Sequence, residues 1–449
     1  MVACLLAGFV GVACDDAPLA DAGAEDGFPP GRACEPSPPP GVDPRAGVTF
    51  SPDHLLCVRV SMDAADLERL RGDNAIGASS IEGFRAAAVE WLFASCDQDA
   101  VSQFTWFGAD LDVDGVRLTK VGIRKKGFLG SLSAAKPSIK IETDYQIADQ
   151  RLGDTEHITL NNLKNDPTRF ASCLAYETFA AAGHPAPRCN LASVMLNGLP
   201  QGPYAHVEDL KKPFLKRVFG NSAGSLYEAT AGDLTVNFLA GISPGHLHRW
   251  EAKTKETDPT GAPLVRVAQA LRVPDERLLD ALGAHVNLDR FYTFWALEAL
   301  VGQADGYASR RNNFQVYFDP DDGDRAVFVP WGADEVFQDG ADEALGLRVY
   351  ALGELSRRLS RIPAAAAAFE AELQRLLNEV WDEAALLASV DRFATQVRNA
   401  QDDPAYERAV VATRRWIAGR RAVVTRWLEA GLPPGPPDEL PCTELPTPR

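Results

Sequence analysis

Four oxygen-bearing residues in the stretch QADGYASRRNNFQVYFDPDDGDRAVFVPWGADEVF (303–337) have the types and order of a metal-dependent phosphoryl-transfer centre. Asp305 comes first, Asn312 and Asn313 follow, and Asp334 lies near the end. In phosphoryl transfer a carboxylate orients or deprotonates the attacking hydroxyl, and kinase-like enzymes hold magnesium with an Asn and a second Asp. Each residue taken alone is better explained as a loop cap, whereas the ordered set favours a site.

The elements around these residues would bring them together. LDRFYTFWALEALVG (288–302) is apolar nearly all round, which predicts a buried helix that ends at Gly302, just before Asp305. NFQVYF and AVFVPW are typical of two antiparallel strands, and the acidic run DPDDGD between them indicates a solvated turn rather than an ion site. Pairing of these strands would place the two Asn side chains beside Asp334.

A basic stretch earlier in the chain could grip the phosphates of a nucleotide. GIRKKGFLGSLSAAKPSIKIE (122–142) offers Arg124, then a glycine-containing loop, then Lys136 and Lys140. SIKIE alternates with period two, so Lys140 lies on the strand face opposite its two isoleucines. A solvated basic strand edge would give the same pattern, and the sequence contains neither a GxGxxG nor a Walker A motif.

The amino-acid composition indicates what kind of protein this is and which kinds of partner it can bind. The chain has 449 residues, of which 46% are hydrophobic, and a formal net charge of −17. That balance argues against binding nucleic acid, which relies on Lys and Arg at phosphates, but not against a small phosphate-containing ligand. Strand patterns dominate the first half and helix patterns the second, which predicts an α+β fold with a sheet-rich lobe followed by a mainly helical lobe.

The N-terminal segment predicts export. MVACLLAGFVGVACDDAP has the short apolar run of a signal peptide, and GVAC resembles a lipobox in which Cys14 would carry a lipid. Residues 1–14 would then be a signal peptide, residues 15–48 a disordered tether, and residues 432–449 a proline-rich tail. We therefore expect a cell-envelope lipoprotein whose contact with the membrane is through its N-terminal anchor.

Six further cysteines fit an exported chain. An even number of them allows up to three disulfides. The sequence contains no CxxC pair, so these cysteines do not form a zinc-binding motif. The alternative is that several are buried free thiols. These residues are Cys34, Cys57, Cys96, Cys173, Cys189 and Cys442.

Three short motifs suggest other chemistries and are better explained as loops. GNSAG (220–224) lies after a helix pattern and before a strand pattern, the reverse of a nucleophile elbow. DLDVDG (110–115) lacks the Glu that would complete a calcium loop, so Asp114-Gly115 is predicted to be a hairpin turn. His246 and His248 form an HxH pair for which the sequence offers no third ligand.

Several motifs, in order over roughly residues 55–430, resemble the CotH kinase family, which is named for a spore-coat protein. VGIRKKGFLGS is similar to the family's VGVRxKGNSS, and KPSIKIE to its KxSxKxxF. ITLNNLKNDPTRFASCLAYETFAAAGHPAPR and VMLNGLPQGPYAHVEDLKKPFLKRVFG are similar to its LNN…GxPAPR and VxLNG…FLxR segments. The stretch at 303–337 is similar to its D-G…NN…PWDxDxTFG.

The resemblance implies an atypical protein-kinase-like fold of two lobes over residues 49–431, with an N-lobe at about 49–210 and a C-lobe at about 211–431. It implies a secreted or surface kinase that uses ATP with Mg²⁺ or Mn²⁺. Asp305 would be the catalytic residue, and Asn312 or Asn313 would bind the metal together with Asp334. Lys140, or alternatively Lys136, would contact the phosphates. Glu208 would be a cofactor-binding residue near the strand that leads into the helical lobe, or else a solvated loop residue.

Two departures from the family pattern leave other functions open. Gly332 stands where many members have the first Asp of PWDxD, and FLGS replaces Asn-Ser-Ser in the glycine-containing loop. The main prediction is phosphoryl transfer to Ser or Thr of surface or envelope proteins. The first alternative is a catalytically silent structural or adhesion protein on the same fold, and the second is phosphoryl transfer to a non-protein acceptor.

Overall fold

A computed structural model describes residues 28–38, 41, 43–46, 50–74, 104–239, 247–340 and 342–439. The predicted signal peptide and Cys14 lie outside these residues, as do Cys96, His246 and Cys442. Within them the protein is α+β, with a sheet-rich N-terminal region and a mainly helical C-terminal region, as the sequence predicted.

The N-terminal region is a closed barrel. The described strands follow one another round it in the order β1-β2-β3-β4-β5-β7-β6, and the parallel pairing of β6 with β1 closes it. Its strands are β1 (Leu56–Ser61), β2 (Trp106–Val113), β3 (Val116–Lys126), β4 (Ser138–Glu142), β5 (His157–Asn161), β6 (Cys189–Leu196) and β7 (Leu199–Val207). Helix α1 (Ala64–Gly72) follows β1.

Side chains along the barrel strands point alternately into the barrel core and towards the outer barrel face. Ile139 and Ile141 of β4 are fully buried in the barrel core, so Lys140 between them points outward. The strand register sets Lys140 opposite Arg124 of β3, and Arg124 opposite Trp106 of β2. These three residues therefore form a row across the outer barrel face.

The C-terminal region contains a second antiparallel sheet, which the sequence pattern did not reveal. Its described strands run in the order β11-β10-β8-β9. They are β8 (Leu226–Ala229), β9 (Trp250–Ala252), β10 (Phe314–Asp319) and β11 (Arg325–Pro330). Pairing of β10 with β11 sets Phe314 opposite Pro330, which brings Asn313 next to Trp331. This is the hairpin that the spacing predicted.

Twelve further α-helices follow α1 in the described part of the chain. They are α2 (Ala171–Ala181), α3 (Lys212–Phe219), α4 (Val236–Leu239), α5 (Ala262–Ala270), α6 (Asp275–Gly283), α7 (Leu288–Val301), α8 (Tyr307–Arg310), α9 (Asp342–Leu345), α10 (Glu354–Leu359), α11 (Pro363–Glu379), α12 (Glu383–Ala400) and α13 (Tyr406–Ala430). Helix α7 is buried nearly all round, as predicted from its composition, and ends at Gly302 in the left-handed conformation. A buried helix of this kind is a rigid base for the loop that follows it.

Part of the predicted tether is ordered. Residues 30–32 pair with residues 400–402 at the end of α12, through Arg32 N to Ala400 O (2.7 Å) and a bridge between Gly31 and Gln401. A disulfide joins Cys34 to Cys57 of β1. The prediction of a disordered tether is therefore wrong for this part, because main-chain pairing and a covalent bond fix it between the two regions.

Within the described residues a second disulfide joins Cys173 of α2 to Cys189 of β6. Disulfides are typical of proteins that fold in oxidising compartments. The described part of the proline-rich tail is also held in place, since Gly435 N donates to Ser360 Oγ at 2.9 Å. Among the described helices, none is both long enough and apolar enough to cross a bilayer.

Candidate phosphoryl-transfer site

The loop after α7 holds Asp305 in a fixed place. Glu298, in the last turns of α7, is buried, and its two carboxylate oxygens accept hydrogen bonds from the backbone N–H groups of Tyr307 and Ala308, both at 2.8 Å. A Cβ on Gly306 would lie 2.3 Å from Glu298 Oε1, so only glycine fits there. Burial raises the pKa of Glu298 to about 8. The Asp305-Gly306 turn is thus clamped to the end of a buried helix.

Asp305 and the asparagine pair are in direct contact. Asp305 Oδ2 accepts hydrogen bonds from Asn312 Nδ2 at 3.0 Å and from Asn313 Nδ2 at 2.7 Å. Asn313 has a φ of 53°, a left-handed conformation that Asn tolerates better than most residues. Burial raises the pKa of Asp305 above its usual value, and the two amides oppose that rise. The structure therefore brings together three of the residues that the sequence singled out.

Asp334 reaches the same place from the other strand of the hairpin. Trp331 N donates to Asn313 O at 3.1 Å, and the chain then turns at Gly332 so that Asp334 N donates to Gly332 O at 3.0 Å. Burial, and next the charge of Asp305, raise the pKa of Asp334 to about 7. The charge of Asp305 therefore disfavours ionisation of Asp334.

Glu335 adds a third carboxylate that the sequence analysis missed. Burial, followed by the charges of Asp305 and Asp334, raises its pKa to about 8, while Arg310 lowers it. The signal was present in the sequence, since Glu335 follows Asp334 directly, but the family pattern at that position gave no reason to select it. Asp305, Asp334 and Glu335 are partly buried, and their like charges together create a negative potential that favours a cation.

The oxygen atoms of this site could hold a hard divalent cation only if an asparagine amide oxygen joins the carboxylates. Among the described residues, no group of three or more His, Cys, Asp and Glu side chains is arranged to hold a metal ion. Asn313 commits its Nδ2 to Asp305, which leaves its Oδ1 facing the Gly332 turn that leads to Asp334. Carboxylate and amide oxygens are the ligands that Mg²⁺ and Mn²⁺ prefer. Asp334 and Asn313 are the residues that could hold such an ion.

Lys140 on the outer barrel face is paired. Its Nζ lies 2.7 Å from Asp209 Oδ2, and both side chains are largely buried. Burial would raise the pKa of Asp209, but Lys140 and its neighbouring cations hold that pKa below its usual value. Sequence reasoning selected Glu208 and missed Asp209, the next residue, because only the folded chain shows which of the two faces Lys140.

Lys126 links the barrel to the hairpin. Its Nζ donates to Asn161 Oδ1 at 2.6 Å and lies 5.3 Å from the centre of the Trp331 ring. Burial lowers its pKa to about 8. Trp331, over which Lys126 lies, directly precedes Gly332 at the end of the hairpin. The cationic barrel face therefore faces the acidic end of the hairpin. Arg124 lies on the same face, with its Cζ 5.2 Å from the centre of the Trp106 ring.

A further set of charges belongs to the second sheet and lies within electrostatic reach of Lys126 and Arg124 on the barrel face, and we call the region between these two sets of charges the cleft. Lys253 Nζ lies 2.6 Å from Glu228 and 3.1 Å from Glu251. Burial would lower the pKa of Lys253, but the two carboxylates outweigh it and raise that pKa. The cleft between barrel and second sheet therefore contains paired cations and anions, which suits a ligand that carries several negative charges and can exchange partners with them.

One predicted phosphate contact, Lys136, lies elsewhere. Lys136 is 3% exposed, and its Nζ donates to Pro203 O at 2.7 Å between the rings of Phe28 and Tyr204. Burial, and then Arg169, hold its pKa well below the usual value. The structure thus separates Lys136 from the Lys140 cluster, and its buried amine, which donates to Pro203 O, is poorly placed to contact a phosphate.

Glu208 is not a solvated loop residue. It is 5% exposed, and its carboxylate accepts hydrogen bonds from Arg188 Nη2 at 2.8 Å and from Arg217 Nε at 3.1 Å. The alternative of a solvated loop residue is therefore wrong, because two guanidinium groups cover Glu208. Its ion pairs within the described residues are to these two arginines, whereas Lys140 pairs with Asp209.

The remaining motifs are loops and turns, as predicted. GNSAG lies between α3 and β8, with a helix before it and a strand after it. Asp114 and Gly115, both with positive φ, join β2 to β3, and DPDDGD joins β10 to β11. His248 is described, but its HxH partner lies outside the described residues.

Comparison with known proteins gives a family match and two distant relatives. A family model described as "CotH kinase protein" matches residues 123–425. Invasin CotH3 of Rhizopus delemar is 24% identical over 41% of this chain and 32% of its own length. Invasin CotH2 of the same organism is 22% identical over 41% of this chain and 33% of its own length. The match thus spans about a third of each of these relatives.

A solved structure is also similar. The Helicobacter pylori proinflammatory kinase CtkA aligns with 65% of this chain and 94% of its own chain, at 10% identity and a TM-score of 0.32.

Proposed function

The chain belongs to the CotH kinase family, and from that membership we infer that it transfers the γ-phosphoryl group of ATP to Ser or Thr hydroxyls of surface or envelope proteins, with Mg²⁺ or Mn²⁺ as cofactor. The family supports a protein-kinase-like transferase. The acceptor and the metal are part of the proposal. The observation that carries it is the contact of Asp305 with both asparagine amides, one of which, Asn313, packs against the Gly332 turn that leads to Asp334.

Asp305 is suited to act on the acceptor hydroxyl. Both amides donate to its Oδ2, and within the described residues no hydrogen bond to Oδ1 is found. That oxygen can accept the hydroxyl proton, and burial, which raises the pKa of Asp305, makes it a better base than an exposed carboxylate. The amides fix the orientation of the carboxylate, so the hydroxyl would be held in line with the transferred group.

The hairpin side of the cleft would bind the metal ion, and the barrel side would bind the phosphates. Asn313, with Asn312 as the alternative, and Asp334 would hold the divalent ion, which neutralises charge on the β- and γ-phosphates when bound. Lys140 and Arg124 on the barrel face would bind phosphate oxygens. Lys140 would then exchange its bond to Asp209 for a bond to phosphate, which conserves its charge pairing.

Export is the setting that we propose for this reaction. The two disulfides support an oxidising compartment, and an anchor at Cys14 would keep the kinase at the envelope. Proteins of the envelope or cell surface would then be the accessible acceptors.

A catalytically silent surface protein is the second candidate. Gly332 removes one acidic side chain that many family members carry, and two relatives are named invasins. Calorimetry with ATP and Mg²⁺ separates the two functions, because a silent scaffold would give no metal-dependent heat of binding.

The decisive test of activity uses the purified chain, γ-labelled ATP and either metal ion. We expect labelled protein product, and at least a roughly 100-fold loss of rate in Asp305→Asn and in Asp334→Asn. Asp321→Asn, at the exposed far end of the same hairpin, is the matched control and should retain activity. Unchanged transfer in Asp334→Asn would refute the assignment, and label found in a small molecule would indicate a non-protein acceptor.

A further inference from the structure

A short connection from the barrel to α2 touches both sides of the proposed site. This bridge segment (residues 161–166, NNLKND) follows β5 and precedes α2. At its start Asn161 Oδ1 accepts a hydrogen bond from Lys126 Nζ at 2.6 Å. Near its end Asn165 Nδ2 lies 3.5 Å from Asp334 Oδ2. The segment therefore contacts a cation of the barrel face and the acid of the hairpin.

The bridge segment also fixes the glycine loop (residues 127–131, GFLGS) that follows β3. Asn162 is 1% exposed, and its Nδ2 donates to Ser131 O at 2.9 Å and to Lys136 O at 2.7 Å. Lys164 Nζ donates to Leu132 O at 3.3 Å. The C-terminal end of the glycine loop is thus tied to the bridge segment by side-chain bonds to its carbonyl groups.

Asn165 lies between this loop and Asp334. A Cβ on Gly130 would lie 2.9 Å from Asn165 Nδ2, and the atoms nearest to it all belong to the Asn165 side chain. The same Nδ2 faces Asp334 Oδ2. The amide nitrogen therefore has loop backbone on one side and the carboxylate on the other, so movement of the loop and rotation of the carboxylate affect each other.

The backbone of Asn165 has a rigid support. The next residue, Asp166, is 1% exposed and accepts hydrogen bonds from Thr168 N at 2.8 Å and from Ala171 N, the first backbone amide of α2, at 2.7 Å. These bonds tie the backbone beside Asn165 to the start of α2. The side-chain amide of Asn165 is therefore held in place and can orient the Asp334 carboxylate.

We propose that Asn165 is a positioning residue that orients Asp334 for metal binding, and that Gly130 is glycine because the closed glycine loop must pack directly on this amide. The proposal rests on the proposed function, since it gives Asp334 a metal to bind. A distance of 3.5 Å is at the long limit of a hydrogen bond, and such contacts commonly shorten when the ligand is bound. A partner of this kind typically changes metal affinity by about 10- to 100-fold.

A double-mutant cycle on the full chain tests the coupling, because the nearest atoms around Gly130 belong to Asn165. We expect Asn165→Ala to raise the Mn²⁺ dissociation constant about tenfold. Gly130→Ala should raise it as well, because its methyl group would push the amide off Asp334. In the Asn165→Ala background Gly130→Ala should add little, since the side chain that it displaces is gone. Asn221→Ala, which removes an Asn–Asp bond in the exposed acidic turn, is the control and should change nothing.

The measurements are Mn²⁺ binding by calorimetry, the metal concentration for half-maximal transfer, and the melting temperature. Effects on Mn²⁺ binding within twofold in Asn165→Ala, or full additivity of the two changes, would overturn the proposal. A loss of melting temperature with unchanged metal affinity would assign Asn165 to folding alone and overturn it too. Absence of transfer in the wild type refutes the proposed function separately, while the Mn²⁺ cycle still decides the role of Asn165. A wild type that binds no Mn²⁺ refutes both.

Discussion

The side-chain amide of Asn313 occupies the space into which a side chain at Gly332 would project. A Cβ at residue 332 would lie 2.4 Å from Asn313 Oδ1, and Gly332 has a φ of 55°. Asn313 cannot simply rotate away, because its Nδ2 holds Asp305 at 2.7 Å. Gly332 is therefore part of how this chain positions its asparagine, and not merely a missing acid.

Restoring the family's acid at this position should impair the protein. Gly332→Asp forces Asn313 off Asp305 and places a side chain in a left-handed backbone, so we expect a loss of about 2 kcal/mol in the free energy of unfolding and lower transfer activity. Gly323→Asp is the matched control, because Gly323 also has positive φ (66°) but no atom within 4 Å of the added Cβ. Denaturant unfolding measures the free energy of unfolding of both variants, and a phosphoryl-transfer assay measures their rates. Higher transfer activity in Gly332→Asp would show that the missing acid, and not the packing, limits the proposed activity.

The acidic cluster predicts the pH dependence of the metal-free protein. The pKa of Asp334 is raised to about 7 and that of Glu335 to about 8. Between about pH 4 and those values the folded state keeps protons that the unfolded state has lost, so the free energy of unfolding falls as pH rises through this window. Melting temperatures from pH 5 to 8 should therefore decline, and Asp334→Asn with Glu335→Gln should flatten the decline. Stability that rises with pH over this range in the wild type, and not in the double variant, would mean that the acids are paired.

Two lysines close together in sequence should differ in their effect on nucleotide binding. Lys140→Met removes a cation of the cleft, and we expect the dissociation constant of ATP to rise about tenfold or more, as loss of a charge-assisted bond would cause. Lys136→Met removes a buried amine bonded to Pro203 O and should leave that constant nearly unchanged. Calorimetric titration with ATP and Mg²⁺ measures both. Equal effects of the two substitutions would contradict the placement of the phosphates.

The ordered part of the N-terminal segment should contribute to stability. Replacing both Cys34 and Cys57 by Ser releases a loop with a sequence separation of 23. Loop entropy predicts a loss of about 3 kcal/mol in the free energy of unfolding. Guanidinium unfolding of the double variant, compared with the wild type under oxidising conditions, measures it. A change of less than a third of that size would mean that the main-chain pairing with residues 400–402 holds the segment by itself.

Sequence reasoning succeeded where the contacts are local. Asp305 bonds to residues seven and eight positions later, and a single hairpin brings Asp334 to them, so the spacing was sufficient. The buried helix α7 was equally clear, because a helix that is apolar on every face is stable in water only when it is buried.

It failed where partners come from distant parts of the chain. Nothing near Lys140 in the sequence indicates Asp209, and nothing near Asn165 indicates Asp334, 169 residues later. The closure of the barrel by parallel pairing of β1 with β6 is also a long-range event that local pattern does not encode. Burial of Lys136 could not be predicted either, since lysines are rarely buried without a charged partner.

The central claim is that the end of the β10–β11 hairpin and the loop after α7 form one metal centre. The most direct measurement is anomalous scattering from crystals of the full chain grown with Mn²⁺ and a non-hydrolysable ATP analogue. We predict a manganese peak bonded to Asp334 and to the amide oxygen of Asn313 or Asn312, with the γ-phosphate between it and Lys140 and with Asp305 Oδ1 open towards the acceptor side. Nucleotide bound with manganese at another place, and with Asp334 outside its coordination sphere, would contradict the claim.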